Sequence, residues 1–176
     1  VGFSKYSTVY DEIVQTQLLQ TSVEVNSAIE AKYEQISTIA AQVSTDADIQ
    51  QLMFNMMEQE RLTSGQAQQF RRTLNRYYPY VNSVYDYRFY QLDGNAIYPN
   101  VGDLQFIIDE IWIKKAIDAN GRLVWGGQDK ANNGYSYAIK TIRLINHSYI
   151  NSGFLVLKIE NKYFDNISLD NYYKYS

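Results

Sequence analysis

The chain has 176 residues, of which 45% are hydrophobic and 20% charged, with a formal net charge of −3 and no cysteine. This composition suits one globular domain with a core and argues against a disordered chain. With an acidic balance and no basic stripe, nucleic acid is excluded as an expected partner. The lack of cysteine excludes disulfides and thiolate chemistry. No apolar run approaches the ~20 residues of a membrane span.

Residues 1–44 are predicted to form a long stalk or dimerisation helix. From about residue 7 onward this segment lacks glycine and proline, and its apolar residues recur at helical spacing. At ~1.5 Å per residue the helix would be ~57 Å long, whereas a compact globule of this chain length is ~40 Å across. We therefore predict a stalk whose C-terminal half packs on the domain. The apolar stripe consists of Val14, Leu18, Val25, Ile29, Ile36, Ala40 and Val43.

Two shorter helices and a hairpin are predicted to follow. The stretch from Thr45 to Asp48 has the spacing of a capping box, and Thr63 starts a further helix that ends before Pro79. Residues 84–92 and 96–101 are rich in β-branched and aromatic residues, and they flank the turn signal Asp93-Gly94. They are predicted to form an antiparallel hairpin.

The second half of the chain is predicted to contain a short helix and three strands. Asp109 is the expected N-cap of the helix, and Asn120-Gly121 its left-handed end. Strands are expected at 122–125, 135–146 and 153–159, and the last has so little polar surface that it should be central. The result is an α+β fold, with residues 45–170 as the globular domain and 171–176 as a tail.

The sequence holds no recognisable catalytic or metal-binding pattern. His147 is the single histidine and falls in a predicted turn, while Gly126-Gly127 lacks the Lys and Ser/Thr of a phosphate-binding loop. The adjacent acids Asp109 and Glu110 suit the first turn of a helix. We interpret the chain as non-enzymatic, with no cofactor and no metal.

Several stretches, taken in order, resemble one receptor family. Together they are similar to the extracytoplasmic Cache domain of bacterial membrane sensor histidine kinases of the YesM type, over nearly the whole chain. The stretches are Ile36 to Ala40, Asp46 to Ile49, the strand that closes on Asp93-Gly94, the short helix from Trp112 to Gly121, the strand that holds Trp125, and Gly153 to Ile159.

The resemblance implies a PAS-like antiparallel sheet, with the long helix on one face and a ligand pocket on the other. It also implies an extracellular position at the cell membrane, between two transmembrane segments outside this chain. The tail 171–176 would lead to the second of these segments. A homodimer through the N-terminal helix and a cytoplasmic histidine kinase in the full-length protein complete this expectation.

The first functional hypothesis is a sensor that binds a small extracellular solute, a sugar or a carboxylate, against the sheet. Arg88 would pair with a carboxylate or with hydroxyl groups, and aromatic rings would stack on a sugar or ring. Taken singly, each candidate fits a place in the core or at its rim better than a ligand contact. The second hypothesis is an interaction module in which the tyrosine-rich segment Tyr77 to Tyr98 binds a partner protein or a second copy. The candidate ligand-binding residues are Arg88, Tyr90, Trp112, Trp125, Tyr135 and Tyr137.

Overall fold

A computed structural model describes residues 27–28, 30–78 and 84–164. The chain divides into a larger unit, Gln35–Asn161, and a smaller unit whose described residues are 27–28, 30–34 and 162–164. In the smaller unit, Lys32 Nζ donates a hydrogen bond to the carbonyl of Tyr163 at 2.9 Å. Most of the predicted stalk, residues 7–26 and 29, lies outside the described residues, so its length stays a prediction. Across the described ranges, no helix combines the length and apolarity needed to cross a membrane.

The larger unit begins with two helices, α1 (residues 35–45) and α2 (Ala47–Met56). The apolar residues of α1 are buried at steps of three and four, as the sequence predicts, and they include Ile36 and Val43. The cap of α2 differs from the prediction by one position. Asp46 accepts hydrogen bonds from the backbone N–H groups of the next turn, while the Thr45 hydroxyl donates back to the Ala41 carbonyl at 2.7 Å.

Helix α3 spans Ser64–Asn75 and opens with the reciprocal capping box of Thr63 and Gln66. The two side chains of this box accept hydrogen bonds from two backbone N–H groups that the start of a helix otherwise leaves unpaired. Its inner side is formed by Phe70 and Leu74, both buried. The helix therefore starts at the predicted residue and ends before Pro79, as the sequence predicts.

Five strands form one antiparallel sheet in the order β2-β1-β5-β4-β3. The predicted hairpin and the predicted central position of the last strand are both confirmed. Strand β2 is shorter than predicted, because Pro99 has no N–H with which to continue the ladder. The strands are β1 (Val84–Tyr90), β2 (Ala96–Tyr98), β3 (Val124–Gln128), β4 (Tyr135–Leu144) and β5 (Ile150–Glu160).

Helix α4 spans Glu110–Asp118 and follows a short 3-10 turn at Leu104–Phe106. It ends with Asn120 and Gly121 at φ 53° and 90°, the left-handed end that the sequence predicts. Asp109 occupies the N-cap position, but its side chain makes no capping hydrogen bond. Its carboxylate instead lies 2.7 Å from Lys130 Nζ, on the loop after β3.

The two faces of the sheet pack against different helices. On the α2–α3 face, Phe89 contacts Phe70 with ring centroids 4.9 Å apart. A Cβ at Gly153 would lie 2.7 Å from the Met53 methyl and would also collide with the Tyr90 carbonyl, so this close approach requires glycine. On the α4 face, Tyr137 packs in a buried cluster with Ala116 of α4. By strand alternation, the α4 face comprises Arg88, Tyr90, Tyr137, Ile139, Thr141, Phe154, Val156 and Lys158.

Candidate functional site

The α4 face carries charged side chains inside an otherwise apolar layer. Arg88 is 8% exposed and its Nε donates to both carboxylate oxygens of Asp86, at 3.1 and 3.2 Å. The two residues are two apart on β1, so alternation places them on one face. Because a buried charge is costly without a partner, this pair forms the core of the candidate site.

A second charge pair lies beside the first. Asp129, on the loop after β3, is 6% exposed and its carboxylate lies 3.4 Å from Lys158 Nζ. The Tyr137 hydroxyl donates to Asp129 at 2.9 Å and accepts from Arg88 Nη1 at 3.3 Å. Tyr137 therefore joins the two pairs into one network. We call Asp86, Arg88, Asp129, Tyr137 and Lys158 the charged cluster.

The two carboxylates of the charged cluster have their pKa values moved in opposite directions. Burial raises the pKa of Asp86, and the Arg88 guanidinium offsets only part of this rise. Burial would also raise the pKa of Asp129, but hydrogen bonds from the Ala131 N–H and the Tyr137 hydroxyl, together with the Lys158 charge, lower it overall. Asp129 is thus the better stabilised anion of the two.

Aromatic rings form the rim of the charged cluster. Lys158 Nζ lies 4.5 Å from the ring centroid of Tyr135 and 5.2 Å from that of Tyr85. The two rings meet edge to face at 5.2 Å. Tyr85 reaches this rim because β1 has an irregular register between Val84 and Asp86, where Tyr85 is the extra residue. Simple alternation predicts Tyr85 on the opposite face, so that expectation is wrong at this residue.

The inner part of the α4 face is covered by α4 and the segment before it. Trp112 and Ile113 of α4 pack against the buried cluster that contains Tyr90 and Tyr137. The Trp112 indole also packs beside the backbone of Gly127, where a Cβ atom would lie 3.5 Å from the indole Nε1. The loop after β3 is joined to the start of α4 by the Lys130–Asp109 ion pair, which is partly exposed. This loop supplies Asp129 and so closes one side of the candidate site.

The structure brings together five of the six predicted ligand-binding residues. Arg88, Tyr90, Tyr135 and Tyr137 share the α4 face, and Trp112 packs against it. Trp125 is in register with Ala138, whose side chain alternates to the α2–α3 face, so the structure does not join Trp125 to the others. Ligand binding by any of these residues stays a prediction.

Sequence reasoning missed Asp86, Asp129 and Lys158. Asp86 and Lys158 carried a usable signal, because each alternates with residues already assigned to the α4 face. Asp129 stands in a loop, where no periodicity indicates which way a side chain points. Its place in the charged cluster follows from the loop's own fold, in which its Oδ1 accepts the Ala131 N–H at 2.8 Å.

Two open grooves lie elsewhere on the described surface, and neither is lined by a predicted ligand-binding residue. One, of about 430 Å³, lies between α2 and the turn after β4, where His147 stacks on Phe54 at 4.1 Å. The other, of about 690 Å³, runs along the edge strand β2. His147 occupies the turn that the sequence predicts. Within the described ranges, no group of three or more His, Cys, Asp or Glu side chains is arranged to hold a metal ion.

Comparison with known proteins identifies the fold. No protein-family model matches the chain, and no curated protein sequence matches it. The ligand-binding domain of the Campylobacter jejuni chemoreceptor Tlp3, solved in complex with 4-methylisoleucine, superimposes with a TM-score of 0.63 at 14% identity. The alignment covers 94% of this chain and 66% of that one, so this chain spans just under two-thirds of that structure.

A second solved structure gives the same result. The periplasmic domain of Vibrio cholerae LuxQ superimposes with a TM-score of 0.53 at 16% identity, over 87% of this chain and 69% of that one. Identities this low establish the fold alone. The chain therefore has an α+β fold of the Cache/PAS-like kind, and the predicted fold class is confirmed.

Proposed function

We propose that this chain is the extracellular ligand-sensing domain of a membrane receptor and binds a small solute at the α4 face of its sheet. The observation that carries the proposal is the charged cluster, buried on that face beside an apolar layer and under a loop. Ligand pockets combine an apolar lining with a few fixed polar groups, and this face has that composition. The likeness to the Tlp3 ligand-binding domain supports the same assignment.

The cost of the cluster supports a binding role over a purely structural one. Buried ion pairs contribute little net stability, and apolar residues of similar volume often serve the fold as well. The Arg88–Asp86 pair, with side-chain exposures of 10% and 19%, is such a case. If the pair had only a structural role, apolar residues of similar volume in its place would give a sheet of similar stability. A sheet that positions a ligand needs fixed donors and acceptors at this place.

In the intact receptor, binding at the α4 face would be transmitted through the N- and C-terminal helices to a cytoplasmic histidine kinase. A ligand shifts such a receptor only by its different affinity for two states of the domain. We propose that the N-terminal segment, residues 1–44, also forms the homodimer. This chain would then carry the sensing step, and catalysis would reside in the kinase.

A thermal-shift assay with a broad solute panel tests the proposal. A ligand at about 100 times its Kd stabilises the folded state by about 2.7 kcal/mol, which gives a clear rise in melting temperature. We expect at least one solute to raise the melting temperature of the unmodified chain and to lose this effect with Arg88→Gln. Arg122→Gln, which removes an exposed arginine of α4's C-terminal turn, is the matched control. No response to any solute, or an equal response in Arg88→Gln, contradicts the proposal.

The alternative, an interaction module, has one observation in its favour. Phe106, in the 3-10 turn before α4, is 75% exposed and Ile111, in the first turn of α4, is 60% exposed, which leaves apolar surface open to a partner. The tyrosine segment first suggested for this role contributes less, because Tyr87 and Tyr90 are fully buried. Substitution of Phe106 by Ser separates the two functions, since it would weaken a partner contact and leave solute binding unchanged.

A further inference from the structure

We propose that the solute bound at the α4 face is an uncharged, hydroxyl-rich molecule, a sugar or polyol, and not an anion or an amine. The inference rests on the proposed function and specifies the ligand for the same site. It follows from three features of that site: its internal charge balance, its unused hydrogen-bonding groups and its aromatic rim.

The charged cluster is already neutral as a whole. The carboxylates of Asp86 and Asp129 balance the cations of Arg88 and Lys158, and each cation lies beside a carboxylate, at 3.1 and 3.4 Å. An entering anion would have to compete with a carboxylate for its cation, or add an unbalanced charge to a largely buried site. An entering ammonium group meets the same obstacle. A neutral ligand avoids this cost.

The cluster nevertheless retains capacity for hydrogen bonds. The bonds from Arg88 to Asp86 and Tyr137 use only some of the N–H donors of its guanidinium group. Among the described residues, the carboxylate of Asp86 receives one shared N–H, from Arg88, and can accept further donors. Free donors and free acceptors thus stand side by side. A hydroxyl group is the ligand group that both donates and accepts, so it matches this mixture.

Two hydroxyls of the α4 face lack a hydrogen-bond partner within the described part of the chain. They belong to Tyr90 and Thr141, and both oxygens are fully buried. Burial raises the pKa of Tyr90, and the Arg88 guanidinium, which lies close enough to act on the Tyr90 oxygen as a charge and a donor, only partly opposes this rise. Arginine has no acceptor, so the Tyr90 O–H still has no group to donate to among the described residues. An unsatisfied buried hydroxyl costs about 1–3 kcal/mol. A ligand hydroxyl that bonded to Tyr90 would recover this cost on binding.

The rim of the site suits the other surface of a sugar. The rings of Tyr85 and Tyr135 stand edge to face at 5.2 Å above Lys158, and Tyr85 is 55% exposed. A sugar or polyol presents C–H groups as well as hydroxyls, and these pack on an aromatic ring while the hydroxyls reach polar partners. The rim therefore offers an apolar surface next to the neutral polar cluster.

Calorimetry on the full chain tests the proposal with two sets of probes at equal concentration. The neutral set contains D-glucose, D-xylose, sucrose and myo-inositol; the charged set contains acetate, succinate, citrate and putrescine. We expect binding from the neutral set, with a Kd that changes less than about twofold between low and high salt, because no net charge is transferred. Tyr90→Phe should weaken this binding about tenfold, the effect of one lost hydrogen bond worth about 1.4 kcal/mol.

Tyr87→Phe is the matched control. Its hydroxyl is also buried without a partner among the described residues, but it lies on the α2–α3 face. Both variants should melt at or above the temperature of the unmodified chain, since each removes an unsatisfied buried group. Only Tyr90→Phe should weaken binding. If Tyr90→Phe does not fold, Tyr137→Phe removes the hydroxyl that joins the two ion pairs and should also weaken binding.

The outcomes separate the two proposals. Binding confined to the charged probes, lost in Arg88→Gln, would overturn the neutral ligand class and leave solute sensing standing. Equal weakening by Tyr90→Phe and Tyr87→Phe would overturn the role given to the Tyr90 hydroxyl. No binding from either probe set would overturn the inference. The thermal-shift panel with Arg88→Gln would then decide between a solute sensor with another ligand and no solute sensing.

Discussion

The two faces of the central strands are built from alternate residues of the same segments, yet they differ in kind. The α2–α3 face holds Phe89, Leu155 and Leu157, all fully buried, and packs against helices. The α4 face interrupts a similar apolar layer with Arg88 and Lys158. The α2–α3 face, which we call the stabilising face, is thus mostly apolar with Lys140 as a buried charge, whereas the α4 face holds two ion pairs, Arg88 with Asp86 and Lys158 with Asp129. The difference indicates which face of the sheet is the better candidate for a functional site.

The largest effect should come from the stabilising face. Phe89→Ala removes a fully buried ring that packs on Phe70, and we expect a loss of about 3–5 kcal/mol in the free energy of unfolding. Phe106→Ala makes the same chemical change at a side chain that is 75% exposed, and should cost less than about 1 kcal/mol. Urea denaturation measures both. Equal losses would show that burial does not distinguish these positions.

The next effect should come from the charged cluster. Asp129→Asn weakens the contacts of Lys158 and Tyr137, and we expect a loss of about 1–3 kcal/mol at neutral pH. Asp86→Asn should cost less, because burial raises the pKa of Asp86 and its ionised form is already disfavoured. Urea denaturation at neutral pH compares the two variants. A larger loss from Asp86→Asn would reverse the roles assigned to these carboxylates.

Acid should reduce the difference between these two variants. The pKa of Asp129 is lowered in the folded state, so its contribution is present above the unfolded-state pKa and lost as pH falls through the folded-state pKa. The pKa of Asp86 is raised, so its contribution is present below the unfolded-state pKa and lost as pH rises through the folded-state pKa. The difference in the free energy of unfolding between Asp129→Asn and Asp86→Asn should therefore be smaller at about pH 3 than at about pH 7, which denaturation curves at both pH values would show. A gap that widens in acid would contradict this assignment.

A smaller effect is expected from the charged residue on the stabilising face. Lys140 is 9% exposed and opposite Leu155, and burial lowers its pKa. Lys140→Met should raise the free energy of unfolding by about 1 kcal/mol, because it replaces an ammonium group whose charged form burial disfavours with an apolar side chain of similar length. Because the folded-state pKa is lowered, the unmodified chain should gain stability as pH rises from that pKa toward the unfolded-state value. The Met variant should lack this gain, which denaturation at mildly alkaline pH would show.

The smallest effect is expected at the loop after β3. The Lys130–Asp109 pair is largely exposed, with side-chain exposures of 48% and 62%. Exposed pairs contribute about 0.2–1 kcal/mol, so Lys130→Ala should lie at the lower end of that range. Lys114→Ala, on the exposed side of α4, controls for the loss of a lysine. A loss well above that of the control would show that the pair holds the loop, and with it Asp129, in place.

Much of the fold could be predicted because its elements are locally encoded. The helix start at Thr63, the turn at Asp93-Gly94 and the left-handed end at Asn120-Gly121 each depend on neighbouring residues, and each is confirmed. The cap of α2 was misplaced by one residue because Thr45 and Asp46 are both good caps. In the structure Thr45 is the last residue of α1, where its hydroxyl donates to the Ala41 carbonyl, and Asp46 caps α2.

The site was harder to predict, because it depends on irregularities. Strand alternation assigned Arg88 and Tyr90 to the correct face, but the extra residue at Tyr85 and the irregular register after Trp125 break the period of two. No sequence signal marks either irregularity. Asp129 was missed because its position depends on how a loop folds over a distant strand.

The position of β5 constrains how the chain acquires its structure during synthesis. β5 is the last of the described strands to be made, yet it lies between β1 and β4, which do not pair with each other. Until Ile150–Glu160 has left the ribosome, the nascent chain therefore contains two separate strand groups with open edges. Such edges favour aggregation, and contacts between distant segments slow folding. The sheet is completed late, and a chain that ends before β5 would contain the parts of both faces without the strand that joins them.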